Sequence, residues 1–175
     1  MMLPRASWSE IADNLWQGSA PSPELMKGVG CGFKVLVLCA EEYQPEPAHF
    51  PRQEVILSPN DDRASVPPSR AQIEQAVQSA KRVARFVASG TPVLVTCYLG
   101  LNRSGLVTAL ALHFLKGISG IEAIEKIQDK RGPRALSNPH FAEFLRGVKA
   151  DKPWEKNLAN VVSLPQKRSF PIRVR

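Results

Sequence analysis

The sequence has few cysteines and few histidines. Three of each occur in 175 residues, the cysteines (Cys31, Cys39 and Cys97) form no Cys-x-x-Cys pair, and the histidines are far apart. An odd number of scattered cysteines does not suit a disulfide framework, and the scattered histidines do not suit structural zinc. We therefore expect a reducing, cytoplasmic environment and no metal, so that each cysteine is either core filler or a reactive group.

The sequence also has no long apolar run. A membrane-spanning helix needs about 20 consecutive apolar residues, and no run approaches that length. Polar residues such as Glu10 and Asp13 interrupt the first twenty positions, so no secretory signal is expected there. The composition, 43% hydrophobic and 22% charged, is that of an ordinary globular protein and excludes disordered, collagen-like and coiled-coil chains. We expect a monomer.

Positive charge is in excess and unevenly placed. Lysine and arginine number 23 against 16 acidic residues, a net charge of +7, and the last 25 residues hold six basic and two acidic side chains. This balance suits an anionic substrate, with nucleic acid as a less favoured partner. The periodicity ends near Lys149, so we predict one domain over residues 1–149 and a basic tail over 150–175, extended or packed on the domain.

Apolar patterns predict alternating strands and helices. The clearest helix covers 69–89, where Ile73, Ala76, Val77 and Ala80 begin a stripe at three- and four-residue spacing. Short apolar stretches predict strands at 11–17, 33–40, 54–58 and 92–96, and other helices are expected at 23–30, 103–117, from 119 and from 139. The pattern predicts an α/β fold with a central, mostly parallel sheet flanked by helices.

One stretch carries a chemical pattern. A buried strand ends at Thr96, a loop runs from Cys97 to Asn102, and a helix begins at Arg103. A loop that enters a helix N-terminus points several backbone N–H groups at one spot, which makes an anion site. Gly100 permits a tight turn, Arg103 offers a planar fork for phosphate oxygens, and the positive environment favours the thiolate of Cys97. The stretch predicts a phosphate-binding loop with a nucleophile.

These residues carry a family resemblance. The sequence Thr-Cys-Tyr-Leu-Gly-Leu-Asn-Arg-Ser-Gly from Thr96 to Gly105 resembles the His-Cys-x-x-Gly-x-x-Arg-Ser/Thr signature of cysteine-dependent protein phosphatases, the dual-specificity branch of the protein tyrosine phosphatase superfamily in particular. The resemblance covers about 140 residues, from Ile11 to Leu145. It implies a protein-tyrosine-phosphatase-like three-layer sandwich and makes residues 1–149 a catalytic domain.

The resemblance also implies a two-step hydrolysis without a cofactor. The thiolate of Cys97 would attack phosphorus, Arg103 and the backbone N–H groups of 98–103 would hold the phosphoryl oxygens, and Ser104 would help the thiolate leave again. Phosphate or sulfate would occupy the same loop. The implied substrate-binding residues are Tyr98, Leu99, Gly100, Leu101 and Asn102.

A general acid is also implied, on a loop well before the cysteine. Asp61 fits the family pattern first, because it closely follows the strand at 54–58, and Asp62 is the alternative. The alternative is that the two aspartates only stabilise a turn, since the Asn-Asp sequence is frequent in turns.

One residue departs from the family pattern. Thr96 stands where the family usually has a histidine that orders the loop, which puts the rate of reaction in question more than its type.

The expected function is hydrolysis of phosphotyrosine, with phosphoserine and phosphothreonine as further substrates. The alternatives are an RNA 5′-phosphatase or inositide phosphatase with the same chemistry, and a weakly active phospho-binding module.

Overall fold

The computed structural model describes residues 7–27, 32–40, 42 and 44–151. Cys31 and nearly all of the predicted basic tail lie outside this set, so the predictions made for them stay predictions. Within the described residues, no helix is both long enough and apolar enough to cross a membrane.

A five-stranded mixed sheet forms the centre of the fold. Its strands are β1 (Trp8–Ala12), β2 (Leu15–Ser19), β3 (Val35–Leu38), β4 (Glu54–Leu57) and β5 (Val93–Cys97), arranged in the order β1-β2-β5-β3-β4. Strands β2, β5, β3 and β4 are parallel to one another, whereas β1 is antiparallel to β2. The prediction of an α/β fold with a mostly parallel sheet is confirmed.

The first part of the sheet differs from the prediction. A single strand was predicted over 11–17, but the structure has a hairpin, with β1 and β2 joined by a tight turn at Asp13 and Asn14. Asn14 has a φ of 62°, in the left-handed region that asparagine tolerates better than most residues. The apolar spacing continues across this turn, so the pattern alone did not reveal the reversal.

The helices follow the predicted order, and three of them begin at a side-chain N-cap. They are α1 (Pro23–Lys27), α2 (Arg70–Ala88), α3 (Arg103–Lys116), α4 (Gly120–Arg131) and α5 (Pro139–Arg146), with a short 3-10 helix at Pro47–His49. Ser69 and Gln72 form a reciprocal capping box on α2, as Ser119 and Glu122 do on α4. The side chain of Asn138 caps α5. The helices predicted from 119 and from 139 are thus confirmed.

Side chains alternate between the two faces of the sheet and so divide the core. Val93, Val95 and Cys97 of β5 belong to the larger cluster, which also contains buried residues of α2, α3, α4 and α5. Leu94 belongs to the cluster on the other face, with Met26 of α1 and Phe50. The sheet therefore lies between two layers, and Cys97 faces the layer that contains α3.

Candidate active site

The predicted loop lies at the carboxyl end of the central strand. Strand β5 has parallel neighbours on both sides, with Cys97 paired to Ser19 of β2 and Thr96 paired to Leu38 of β3. Residues 98–102 then lead directly into α3, which begins at Arg103. This edge of a parallel sheet is where ligands bind in open α/β folds, because loops from several strands meet there.

The backbone of the loop is held from outside through its carbonyl groups. Four successive carbonyls accept hydrogen bonds: Tyr98 O from Ala20 N (3.3 Å), Leu99 O from Arg131 Nη2 (3.5 Å), Gly100 O from Gln17 Nε2 (3.0 Å) and Arg131 Nε (3.3 Å), and Leu101 O from Leu136 N (3.3 Å). The C=O and N–H of a trans peptide point in opposite directions, and the described chain has no cis peptide. The N–H groups of residues 99–102 therefore point away from these partners.

Gly100 lies in close contact with β2. Its φ is +71°, and a Cβ at this position would lie 2.2 Å from the carbonyl carbon of Gly18 and 2.4 Å from the backbone nitrogen of Ser19. A side chain would thus meet both a strained backbone conformation and the main chain of a neighbouring strand. The position requires glycine for both reasons.

Cys97 is buried at the start of the loop. Its Sγ lies 3.3 Å from Oγ of Ser104, the second residue of α3. Cys39, at the end of β3 beside Cys97, is the other thiol that the structure describes. Burial raises the pKa of Cys39 well above its ordinary value, and the neighbouring Cys97 raises it further. Cys39 is thus a neutral core thiol, whereas Cys97 has a hydroxyl in contact with its sulfur.

Arg103 is a buried cation with one side of its guanidinium engaged. Nη1 donates to Glu42 Oε1 and, at 3.5 Å, to the carbonyl of Asn60. Nε is fully buried and has no hydrogen-bond partner among the described residues. Burial opposes ionisation, but the hydrogen bond that Arg103 donates to Glu42 and the charges of Cys97, Glu42 and Asp62 outweigh it, so the pKa of Arg103 lies above its ordinary value.

The two candidate acids have different partners. The carboxylate of Asp61 accepts from Nε of Arg63 at 2.6 Å, and this hydrogen bond lowers the pKa of Asp61. The carboxylate of Asp62 accepts from Nδ2 of Asn102 at 3.2 Å and from Nδ2 of Asn138 at 3.0 Å. Asp62 is therefore the one of the two whose carboxylate contacts the loop.

Three residues that the sequence analysis did not select hold the site together. They are Gln17 of β2, Arg131 of α4, and Glu42 after β3. Burial lowers the pKa of Arg131, an effect that its interaction with Cys97 opposes. Glu42 follows a strand in an acidic pair with Glu41, a signal that could have suggested a partner for Arg103. Nothing near Gln17 or Arg131 in the sequence distinguishes them.

The rim of the loop is partly apolar. The side chain of Leu99 is half exposed, with 53% of its surface accessible, whereas Leu101 packs partly against the core. Beside the loop, an open cleft of about 630 Å³ is lined by Glu42, Pro59, Asn60, Asp61, Arg63, Gln72 and Gln75. Among the residues that the structure describes, His, Cys, Asp and Glu side chains form no group of three or more that could hold a metal ion.

Comparison with known proteins places this geometry in a known fold. No protein-family model and no curated protein sequence matches the chain. Solved structures do match: Tk-PTP in its active form has 27% identity and a TM-score of 0.68, over 83% of this chain and 96% of that one. Human DUSP28 has 22% identity and a TM-score of 0.67, over 87% and 95% of the two chains. PTPMT1, solved in complex with PI(5)P, has 20% identity and a TM-score of 0.67, over 89% and 99%.

These likenesses establish the fold. The chain has the fold of the protein tyrosine and dual-specificity phosphatases, as the resemblance of the loop implied. The match to Tk-PTP, at 27% identity, supports a phosphatase in general and leaves the type of substrate open.

Proposed function

We propose that this protein is a cysteine-dependent phosphatase that hydrolyses phosphomonoesters through a cysteinyl-phosphate intermediate, with residues 1–149 as its catalytic domain. The observation that carries the proposal is the guanidinium of Arg103, which is buried with Nε unpartnered among the described residues. A buried charged donor without a partner is costly unless a ligand supplies the acceptor. Arg103 begins a helix, lies six residues after Cys97, and is suited to an oxyanion.

In the proposed first step, the thiolate of Cys97 forms a bond to phosphorus while the bond from phosphorus to the ester oxygen breaks. The N–H groups of residues 99–102, which point away from the outer partners of the loop, and the free side of Arg103 stabilise the phosphoryl oxygens. An aspartic acid gives its proton to the leaving oxygen, because an unprotonated alkoxide or phenoxide leaves poorly.

In the second step, water attacks the cysteinyl phosphate. The same aspartate accepts a proton from the water, a P–O bond forms, and the S–P bond breaks to release phosphate and the thiolate. The hydroxyl of Ser104, 3.3 Å from the sulfur, stabilises the departing thiolate by a hydrogen bond. Bound phosphoryl charge raises the pKa of a nearby carboxyl, which favours the protonated acid that the first step needs.

The acid is proposed to be one of the pair at 61 and 62. Asp61 fits the family pattern and lines the cleft beside the loop. Asp62 has the direct contact to the loop through Asn102. The two assignments make different predictions for single substitutions, which are given below.

Phosphotyrosine in proteins is the proposed substrate, with phosphoserine and phosphothreonine as further ones. The exposed Leu99 at the rim and the open cleft of about 630 Å³ favour a substrate that is larger than a free phosphate. A phosphoinositide is the second candidate, because PTPMT1, which has the same fold, was solved with PI(5)P.

The decisive experiment compares Cys97→Ser with Cys39→Ser. Cys39 directly follows β3, the neighbour of the strand that ends in Cys97, and both thiols are buried, so the second variant controls for the loss of a core sulfur. We expect Cys97→Ser to abolish turnover of p-nitrophenyl phosphate while still binding tungstate, and Cys39→Ser to keep turnover. Hydrolysis by Cys97→Ser at the wild-type rate would refute the mechanism. Wild-type protein that binds tungstate without turnover would instead favour a phospho-binding module.

The substrate is then identified with the wild-type enzyme. Phosphotyrosine and phosphoserine peptides, PI(5)P and 5′-triphosphate RNA are compared by kcat/KM, with Cys97→Ser as the blank. The proposal expects the phosphotyrosine peptide to be the best substrate. A higher kcat/KM for PI(5)P or for the RNA would replace the protein substrate with that one and leave the mechanism unchanged.

A further inference from the structure

The residue before the nucleophile takes part in a hydrogen-bonded chain. Thr96 is completely buried, and its Oγ1 donates to the carbonyl of Val37 at 2.9 Å. The same oxygen accepts a hydrogen bond from Nε2 of Gln44 at 2.7 Å. The hydroxyl therefore links the central strand, the neighbouring strand β3 and a side chain from beyond β3.

Gln44 uses both ends of its amide. While Nε2 donates to Thr96, Oε1 accepts from the backbone N–H of Ala40 at 2.6 Å. Ala40 and Gln44 are four residues apart, so the side chain of Gln44 joins the two ends of one short stretch. Glu42, the partner of Arg103, lies at the middle of that stretch.

The ion pair between Glu42 and Arg103 joins an exposed side chain to a buried one, so Glu42 needs other contacts to hold it in place. The side chain of Arg103 is 7% exposed, but that of Glu42 is 53% exposed. A carboxylate open to water gains little from an ion pair and loses side-chain freedom when it is held in one place. The hydrogen bond between Ala40 and Gln44, which lie two residues before and two residues after Glu42, reduces this entropic cost, because fewer conformations remain to be lost.

We propose that Gln44, anchored on the hydroxyl of Thr96, is a positioning residue that holds Glu42 against Arg103 and so orients the guanidinium toward phosphoryl oxygens. This inference rests on the proposed function of the loop. Nη1 is held by Glu42 and by the carbonyl of Asn60, whereas Nε is buried without a hydrogen-bond partner among the described residues and is therefore the atom left to bind a phosphoryl oxygen. Thr96, in place of the usual histidine, then contributes to the site, because its hydroxyl anchors this chain of hydrogen bonds.

The test uses conservative variants and one matched control. Thr96→Val removes the anchoring hydroxyl, Gln44→Met removes both amide hydrogen bonds, and Thr96→Ser retains the hydroxyl. The control is Thr108→Val on α3, because the hydroxyl of Thr108 is also buried but has no hydrogen-bond partner among the described residues. For each variant, the Kd for inorganic phosphate, the kcat and KM for p-nitrophenyl phosphate, and the Tm are measured.

We expect Thr96→Val and Gln44→Met each to weaken phosphate binding by about twofold to tenfold, the effect of about one hydrogen bond from a misoriented Arg103 to phosphate. Thr96→Ser and Thr108→Val should bind phosphate as the wild type does. In a Glu42→Gln background, Gln44→Met should have no further effect on phosphate binding, because the group that Gln44 positions has already lost its charge.

Two results would overturn the proposal. One is a lower Tm for Thr96→Val and Gln44→Met with wild-type phosphate binding, since Gln44 would then serve stability alone. The other is an equal, additive loss of affinity when Gln44→Met is made in the Glu42→Gln background. If Gln44→Met does not fold, the smaller change Thr96→Val, also made in the Glu42→Gln background, decides the matter by the same criteria.

The phosphate Kd separates this inference from the proposed function. Wild-type protein that binds phosphate without turnover would refute the phosphatase but still allow the positioning role to be measured. An active wild type whose phosphate binding is unaffected by Thr96→Val and Gln44→Met would refute the positioning role alone.

Discussion

Substitution of Gly100 by alanine tests the architecture of the loop most directly. The new Cβ would lie 2.2 Å from the carbonyl carbon of Gly18, whereas ordinary van der Waals contact begins at 3.4 Å. The loop would have to move by about 1.2 Å, the difference of these distances, because the obstacle is the main chain of β2 and no side chain can turn aside. A misplacement of about 1 Å can cost about 100-fold in rate. We expect a loss of kcat of at least that size.

The backbone conformation adds a separate cost, which a matched control measures. Gly100 has a φ of +71°, where an L-residue costs about 1–2 kcal/mol. Gly90, beyond the end of α2, has a φ of +79° and nothing within 4 Å of a built Cβ. Gly90→Ala therefore has the conformational cost without the clash. We expect it to lower the Tm by about 2–8 °C, the range for this cost in a chain of this size, and to leave kcat unchanged.

The assay is turnover of p-nitrophenyl phosphate under conditions where each variant is folded, together with tungstate binding and thermal unfolding. Gly100→Ala should lose turnover and tungstate affinity and should have a lower Tm than Gly90→Ala. A Gly100→Ala protein with wild-type kcat and tungstate affinity would refute our account of the loop as an anion site held tightly against β2.

Four further predictions concern charge and stability. Arg103→Lys should lose about 100-fold or more in kcat, because a point charge cannot replace the planar fork; turnover near that of the wild type would contradict the assigned role. Of Asp61→Asn and Asp62→Asn, the one that removes the acid should slow phosphotyrosine hydrolysis strongly and hydrolysis of an ester with a very acidic leaving group much less. Since the acid must be protonated, kcat/KM falls as the pH rises through the pKa of the acid. The hydrogen bond from Arg63 lowers the pKa of Asp61, so Arg63→Met should raise that pKa. The alkaline limb of the pH profile should then move to higher pH if Asp61 is the acid and stay in place if Asp62 is. Ser69→Ala should destabilise the fold by about 1 kcal/mol in denaturant unfolding without changing kcat, and an unchanged unfolding midpoint would argue against the capping box on α2.

Local signals in the sequence predicted much of the fold. The helix over 70–88, predicted over 69–89, was visible because its apolar stripe lies within the segment itself. The hairpin at β1 and β2 was missed, since the reversal depends on a two-residue turn inside a continuous apolar spacing. The only sequence signal for this turn is Asn14, which has a left-handed backbone conformation, and asparagine also occurs in many other structures.

The partners of the loop were less predictable than the loop. Gln17 donates to Gly100 across 83 positions of sequence, and Glu42 accepts from Arg103 across 61. Neither contact leaves a periodic or spaced pattern, because the two residues of each pair belong to different elements. The same holds for Asn138, whose contact with Asp62 spans 76 positions.

The stretch around Cys97 that carries the chemistry could be predicted from local sequence alone. A strand, a glycine, an arginine and a helix start within ten residues define a loop around Cys97, because that geometry is set by neighbours along the chain. How the loop is held depends on the tertiary structure: Arg131 and Gln17 donate hydrogen bonds to its carbonyl groups, Glu42 accepts a hydrogen bond from Arg103, and Gln44 donates one to Thr96. The physical reason is that the carboxyl ends of parallel strands meet at one edge of the sheet, where distant segments supply hydrogen bonds that no local pattern encodes.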